Sequence, residues 1–222
     1  MHKKLIFGVV LAGLMYTGAL SAETGKVTAT TAGIDESIEP SDSYILAVNG
    51  HELRIIADKP FELPANGTKI EALLKVEPLK TFRYGGIELQ YPRHFTFEAD
   101  LSDKDVSLWS LSGPQCVLMI QRYPADMNHK TMAEMLLPRF GEGNSLMSEC
   151  SMNLNGNDIA GSKIITTIGE SSISQEIFSF KVQDDSLLLI IQDTLGNGKN
   201  PSEETLKFKD LLSKTFKFTP AG

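Results

Sequence analysis

From Tyr44 onward apolar and polar residues alternate with a period of two over much of the chain, and turn-forming pairs interrupt the alternation. Tyr44-Ile45-Leu46-Ala47-Val48 and Glu52-Leu53-Arg54-Ile55-Ile56 flank Asn49-Gly50. Asn-Gly between two β-rich runs predicts a hairpin, because both central residues of its tight turn need positive φ. Thr68-Lys69-Ile70-Glu71 then matches a helix capping box, with Ile70, Leu73 and Leu74 at helical spacing. A helix is the preferred reading there, and Asn66-Gly67 leaves a second hairpin as the alternative.

Residues 86–92 and 94–98 alternate again and predict two strands around Pro92. Residues 106–111 and 116–123 flank Ser112-Gly113-Pro114-Gln115; residues 147–154 and 159–168 flank Asn155-Gly156-Asn157-Asp158; residues 174–182 and 187–193 flank Gln183-Asp184-Asp185-Ser186. Each pair predicts a hairpin. Val117-Leu118-Met119-Ile120 and Leu187-Leu188-Leu189-Ile190-Ile191 are apolar without a break, as central strands covered on both faces are. Helical spacing appears in two places. Thr131, Met132, Met135, Leu136 and Phe140 form one stripe, capped by Asn128 or Thr131 and ended or kinked by Pro138. Ser202-Glu203-Glu204-Thr205 opens the other, with Leu206, Leu211 and Leu212 on its apolar side, and residues 214–218 return as a short strand. The expected class is α+β.

This order of elements resembles the PsbP-like superfamily. The matching pieces are the residue 86–92 strand with the aromatic strand after it, the hairpin through Gly113, the helix near 131–140, the strand containing Gly161, the final meander, and the closing helix with residues 213–218. The resemblance spans residues 82–218. It implies an α/β/α sandwich with a central, mainly antiparallel β-sheet flanked by helices. It implies little chemistry, since members are mainly interaction modules or proteins of undetermined role, and a fold does not fix a function. Residues 43–80 are an addition to the family's core.

The first 22 residues bear on where the protein acts. Lys3 and Lys4, an apolar run and a small-residue exit ending in Ala22 predict a secretory signal, too short in its apolar part for a membrane span. No cysteine lies near the exit, so the expected product is periplasmic or secreted, not lipid-anchored and without a membrane span. Residues 23–42, rich in Thr, Ser and acids, read as a flexible tether, residues 43–81 as an N-terminal β-hairpin extension, and residues 82–222 as the main domain. The 222 residues carry 21 basic against 28 acidic side chains, a net charge of −7. Removing Lys3 and Lys4 makes this 19 − 28 = −9. Such a balance excludes nucleic-acid binding driven by bulk charge.

Few side chains point to chemistry. Cys116 and Cys150 are the two cysteines, and an even count in an exported chain predicts a disulfide, with two buried free thiols as the alternative. Closing a loop of about 35 residues would stabilise by roughly 3–4 kcal/mol in the chain-entropy model. No Cys-x-x-Cys exists, and His51, His94 and His129 are too scattered for a metal site. Asp103, Asp105, Asp184 and Asp185 read as turn residues. Gly141-Glu142-Gly143 and Gly196-Asn197-Gly198 lack a phosphate-loop context, and no Gly-x-Ser-x-Gly elbow is present. No cofactor is expected. Trp109, Arg122, Tyr123 and Arg139 are the side chains expected to form a recognition patch, as aromatic and Arg residues are enriched at interfaces. The leading expectation is therefore a non-catalytic interaction module of the cell envelope with a protein partner. Small-ligand or lipid binding in a cleft between sheet and helices is the alternative, followed by an uncharacterised hydrolase.

Overall fold

Pairing of the alternating runs produces three antiparallel sheets. A computed structural model describes residues 35–48, 50–56, 72–140, 143–196 and 200–218. The predicted signal, most of the predicted tether and the capping box at 68–71 thus lie outside the described residues. Residues 35–222 form one unit.

The first sheet is β1 (Ser43–Val48), β2 (His51–Ile56) and β3 (Ala72–Val76), in the order β2-β1-β3. Gly50 sits in the β1–β2 turn with φ +80°, as the Asn-Gly signal requires. Leu73 and Leu74 lie in β3, not in a helix. Their main chain instead completes β1, with Leu46 opposite Leu74 and Tyr44 opposite Val76, cross-strand apolar pairs that outweigh a local helical spacing.

β4 (Leu79–Phe82) and β5 (Ile87–Pro92) pair with each other, and the two-residue β13 (Lys217–Phe218) closes the second sheet against β5. The third sheet has seven strands: β6 (Thr96–Asp100), β7 (Ser107–Ser112), β8 (Cys116–Tyr123), β9 (Ser145–Leu154), β10 (Asn157–Ile168), β11 (Ser171–Val182) and β12 (Asp185–Leu195). Their spatial order is β6-β7-β8-β12-β11-β10-β9. The unbroken apolar runs of β8 and β12 lie side by side at its centre, with Leu189 opposite Ile120.

Among the described residues there are two α-helices. In α1 (His129–Leu136) the Asn128 side chain accepts from the Lys130 and Thr131 amides, both at 3.0 Å, so Asn128 is the cap. Pro138 lies in the 3-10 turn Leu137–Phe140 that follows. In α2 (Glu203–Thr215) Ser202 Oγ accepts from the Thr205 amide at 3.1 Å. The buried side of α2 is Thr205, Phe208 and Leu212, while Leu206 is 54% exposed. The apolar stripe expected from Leu206 is thereby corrected.

The main core lies between one face of the seven-stranded sheet and the layer formed by β4, β5 and α2. It contains Phe82, Ile87, Leu89, Tyr91, Phe95, Trp109, Ile120, Phe178, Leu189, Phe208 and Phe216 among others. Trp109, Ile120, Leu189, Phe178 and Gly161 form one row across five strands. A Cβ at Gly161 would stand 2.6 Å from the Ile177 carbonyl and 2.7 Å from the Phe178 ring, so this row has room only for glycine at that point. On the opposite face α1 packs on β10 and β11 through Met132, Ala133 and Leu136.

The expected α/β/α sandwich is not what forms. Of the described residues 57% are strand and 15% helix, in sheets of three, three and seven strands. The physical reason lies at residues 79–92. These strands leave the large sheet and cover its core as a sheet of their own, and the opposite face receives one helix of 8 residues.

Candidate interaction surfaces

The four side chains expected in a recognition patch are not brought together. Trp109 is fully buried in the core, edge-on to Phe82 at 6.0 Å. Arg122 and Tyr123 are neighbours on β8 and so project to opposite faces. Arg122 pairs with Asp185 at 2.5 Å. Tyr123 is buried and donates to Gln121 Oε1 at 2.7 Å; burial pushes its hydroxyl up to about 12, with the Arg139 guanidinium pulling the other way. Arg139 is exposed on the 3-10 turn. Trp109 and Tyr123 are both buried with a polar partner for the N–H or O–H, which alternation alone does not reveal.

The expected disulfide is also corrected: Cys116 and Cys150 are free thiols. Cys116 is on β8 and Cys150 on β9, four steps apart in strand order. At about 4.8 Å per step this separates them by about 19 Å. A disulfide needs Cα atoms within about 7 Å. Burial pushes Cys116 up to about 12, offset in part by a hydrogen bond from Thr205, and pushes Cys150 up to about 11. Neither is poised as a nucleophile.

A polar cluster fastens α2 to the sheet. Lys163 and Lys209 donate to the two oxygens of Glu176, at 3.2 and 2.5 Å, and Asp193 Oδ2 accepts from the Ser202 amide at 3.0 Å. These groups, with Ser174 and Thr205, line a cavity of about 20 Å³. Asp193 Oδ1 is buried without a protein partner. The space fits one water, which is what such an oxygen needs. A substrate pocket is of order 300–1,000 Å³. Among the described residues no group of three or more His, Cys, Asp or Glu side chains is placed to hold a metal ion. Of the three histidines considered, His94 meets Glu204 at 3.3 Å, His129 meets Ser162 at 2.9 Å, and His51 is exposed at the start of β2.

Two surfaces stand out from this filled interior. The first is the β2-β1-β3 sheet. Leu46 and Val48 of β1 are buried, yet all five residues of β3 are exposed, including Leu73 at 56%, Leu74 at 55% and Val76 at 44%. Among the described residues β3 pairs on one side only, with β1. Arg54 is tied to Glu77, and Lys75 lies 3.9 Å from Glu52, so the charges beside the apolar residues are already matched.

The second is a groove bounded by Lys80 on β4, Tyr84 in the turn after it, Arg93 just past β5 and Trp109 within β7, and residues 35–42 lie in it. Trp109 Nε1 donates to the Glu36 carbonyl at 3.0 Å, and Tyr84 Oη donates to the Ile38 carbonyl at 2.6 Å. Lys80 Nζ binds Glu39 at 2.7 Å and Arg93 binds Asp42 at 2.7 Å. Asp42 Oδ1 has Lys80 Nζ at 3.4 Å without hydrogen-bond geometry, and the Tyr91 hydroxyl is buried nearby with no partner. Burial, reinforced by Glu39 and Asp42, holds the Tyr91 hydroxyl well above its ordinary range. Residues assigned by composition to a tether thus include a docked strap. Lys80, Tyr84 and Arg93 carried no motif; the available signal was the need of a core Trp for an N–H acceptor.

No family model matches the chain, and no curated protein matches it. Among solved structures, that of a Pseudomonas aeruginosa protein of unknown function aligns at 12% identity over 53% of this chain and 84% of that one, with a TM-score of 0.28. So low a score carries nothing about fold or role.

Proposed function

We propose that the protein is an exported, non-catalytic interaction module of the cell envelope, and that a partner protein adds an extended strand along the open side of β3. The observation that carries this reading is the full exposure of β3 with Leu73, Leu74 and Val76 on it. An apolar strand with an open edge is a ready template for another strand, and soluble proteins ordinarily blunt such edges with charge. Here the one charged side chain of β3, Lys75, faces Glu52 across the sheet. Main-chain groups on the open edge would supply affinity, and the leucines would supply side-chain selectivity. The cavity of about 20 Å³ beside α2 offers no room for a lipid or a metabolite, so the ligand-binding alternative gains no support from it.

The reading is tested by retaining envelope proteins on the immobilised protein and comparing it with a Leu73→Ser/Leu74→Ser variant. A partner bound by the first and lost at least tenfold by the second, with the unfolding midpoint unchanged, is the expected result. A partner retained equally by both would remove β3 from the account.

A further inference from the structure

We infer that residues 35–42 are a displaceable intramolecular ligand, and that the groove formed by Trp109, Tyr84, Lys80 and Arg93 is a binding site for an acidic segment of another protein. The inference rests on the interaction-module reading for its class of ligand, but it concerns a different surface and does not use β3.

The groove recognises its occupant as a peptide. Two aromatic side chains donate to main-chain carbonyls two residues apart, Glu36 and Ile38, and two cations take carboxylates three residues apart, Glu39 and Asp42. These contacts ask for a backbone and a charge pattern, with carbonyls at i and i+2 and acids at i+3 and i+6. A foreign segment with that pattern meets the same donors. The groove is also preformed. Trp109 is held edge-on by Phe82, and Gly85, at φ +61°, lies so close to the indole that a Cβ there would stand 3.1 Å from it. With the strap in place Lys80 is largely buried, its ammonium lying between Glu39 and Asp42.

The strap, in contrast, is weakly held. Its one large apolar residue, Ile38, is 59% exposed, so the strap buries almost no apolar side chain of its own. Segments with few buried apolar contacts open at the low end of the free-energy range spanned by a domain. Its polar contacts are reinforced by its covalent attachment at β1, which gives it a high effective concentration over the groove. An acidic segment that also offers an apolar anchor could displace it, and the strap then sets the threshold for binding.

The test uses the purified protein and a synthetic, fluorescein-labelled peptide with the sequence of residues 35–42, acetylated and amidated. Anisotropy reports binding, and the chain's single tryptophan, Trp109, reports the groove directly. The Glu39→Gln/Asp42→Asn variant, which loosens the strap, is expected to bind the peptide saturably and at least tenfold more tightly than the unaltered protein. Adding Lys80→Glu is expected to abolish that binding. Equal binding by both proteins, or no saturable binding by a folded strap variant, would overturn the inference. Dimers formed by exchange of straps between copies would also overturn it, since the groove would then belong to a second copy. Hydrogen exchange on the unaltered protein keeps the test independent of the variants: amides of residues 36–42 should exchange at least a hundredfold faster than those of β12, and equal protection would refute displaceability. None of these outcomes bears on capture of a partner at β3.

Discussion

In the seven-stranded sheet, β12 is buried along nearly its whole length and lies between two other long strands, whereas in the β2-β1-β3 sheet no residue of β3 is buried. Both sheets are antiparallel, and both use branched and long aliphatic residues. They differ in what lies over them. The large sheet receives β4, β5 and α2 on one face and α1 on the other, and its polar exceptions, such as Asp193, are bound to α2. The small sheet keeps apolar side chains exposed at its edge. Stability is therefore expected to reside in one sheet and strand addition at the other.

The largest effects of substitution are expected in the large sheet. Trp109→Ala removes the largest fully buried side chain and the donor to Glu36, and is expected to cost about 3–5 kcal/mol in denaturant unfolding. A loss below about 1 kcal/mol would mean the row through Trp109 is not the core. Gly161→Val should cost about 1–3 kcal/mol, because its branched side chain meets the Ile177 carbonyl and the Phe178 ring.

A smaller effect concerns His129 at the start of α1. Burial, helped by Lys130, lowers its pKa from 6.5, against an opposing pull from Glu149. The unfolded chain then takes up the proton first as pH falls. Stability should drop just below pH 6.5 and level off once the folded form is protonated too. His129→Gln should flatten that portion of the curve, and an unchanged pH dependence would locate the titration elsewhere. The smallest effect is expected in the other sheet: Leu73→Ser/Leu74→Ser should leave stability within about 0.5 kcal/mol, measured in the same denaturant series.

Local signals found most of the elements and none of the layers. Asn-Gly at 155–156 and the Asp-rich turn at 183–186 gave the hairpins, since turn chemistry is written in adjacent residues; Gly156 and Gln183 do adopt positive φ. Ser202 and, with Thr131 as the alternative, Asn128 marked the helix starts for the same reason. The strand at 87–92 looked the same as its neighbours, because alternation states that one face is buried and not against which sheet. Leu73 and Leu74 fitted a helical stripe until β1 supplied a partner strand. Interior phase correctly hid Cys116 but could not reveal that β12, β11 and β10 stand between it and β9. The strap was illegible as a site: its residues are polar, and its anchors at Lys80, Tyr84, Arg93 and Trp109 come from four separated places in the chain.

The division between the two sheets is tested most directly by hydrogen exchange on the purified protein with and without the partner that it retains from its envelope. New protection confined to residues 72–76 and their β1 neighbours, with β12 equally protected in both states, is the predicted result. Protection that appears elsewhere while residues 72–76 exchange at their free rate would contradict it.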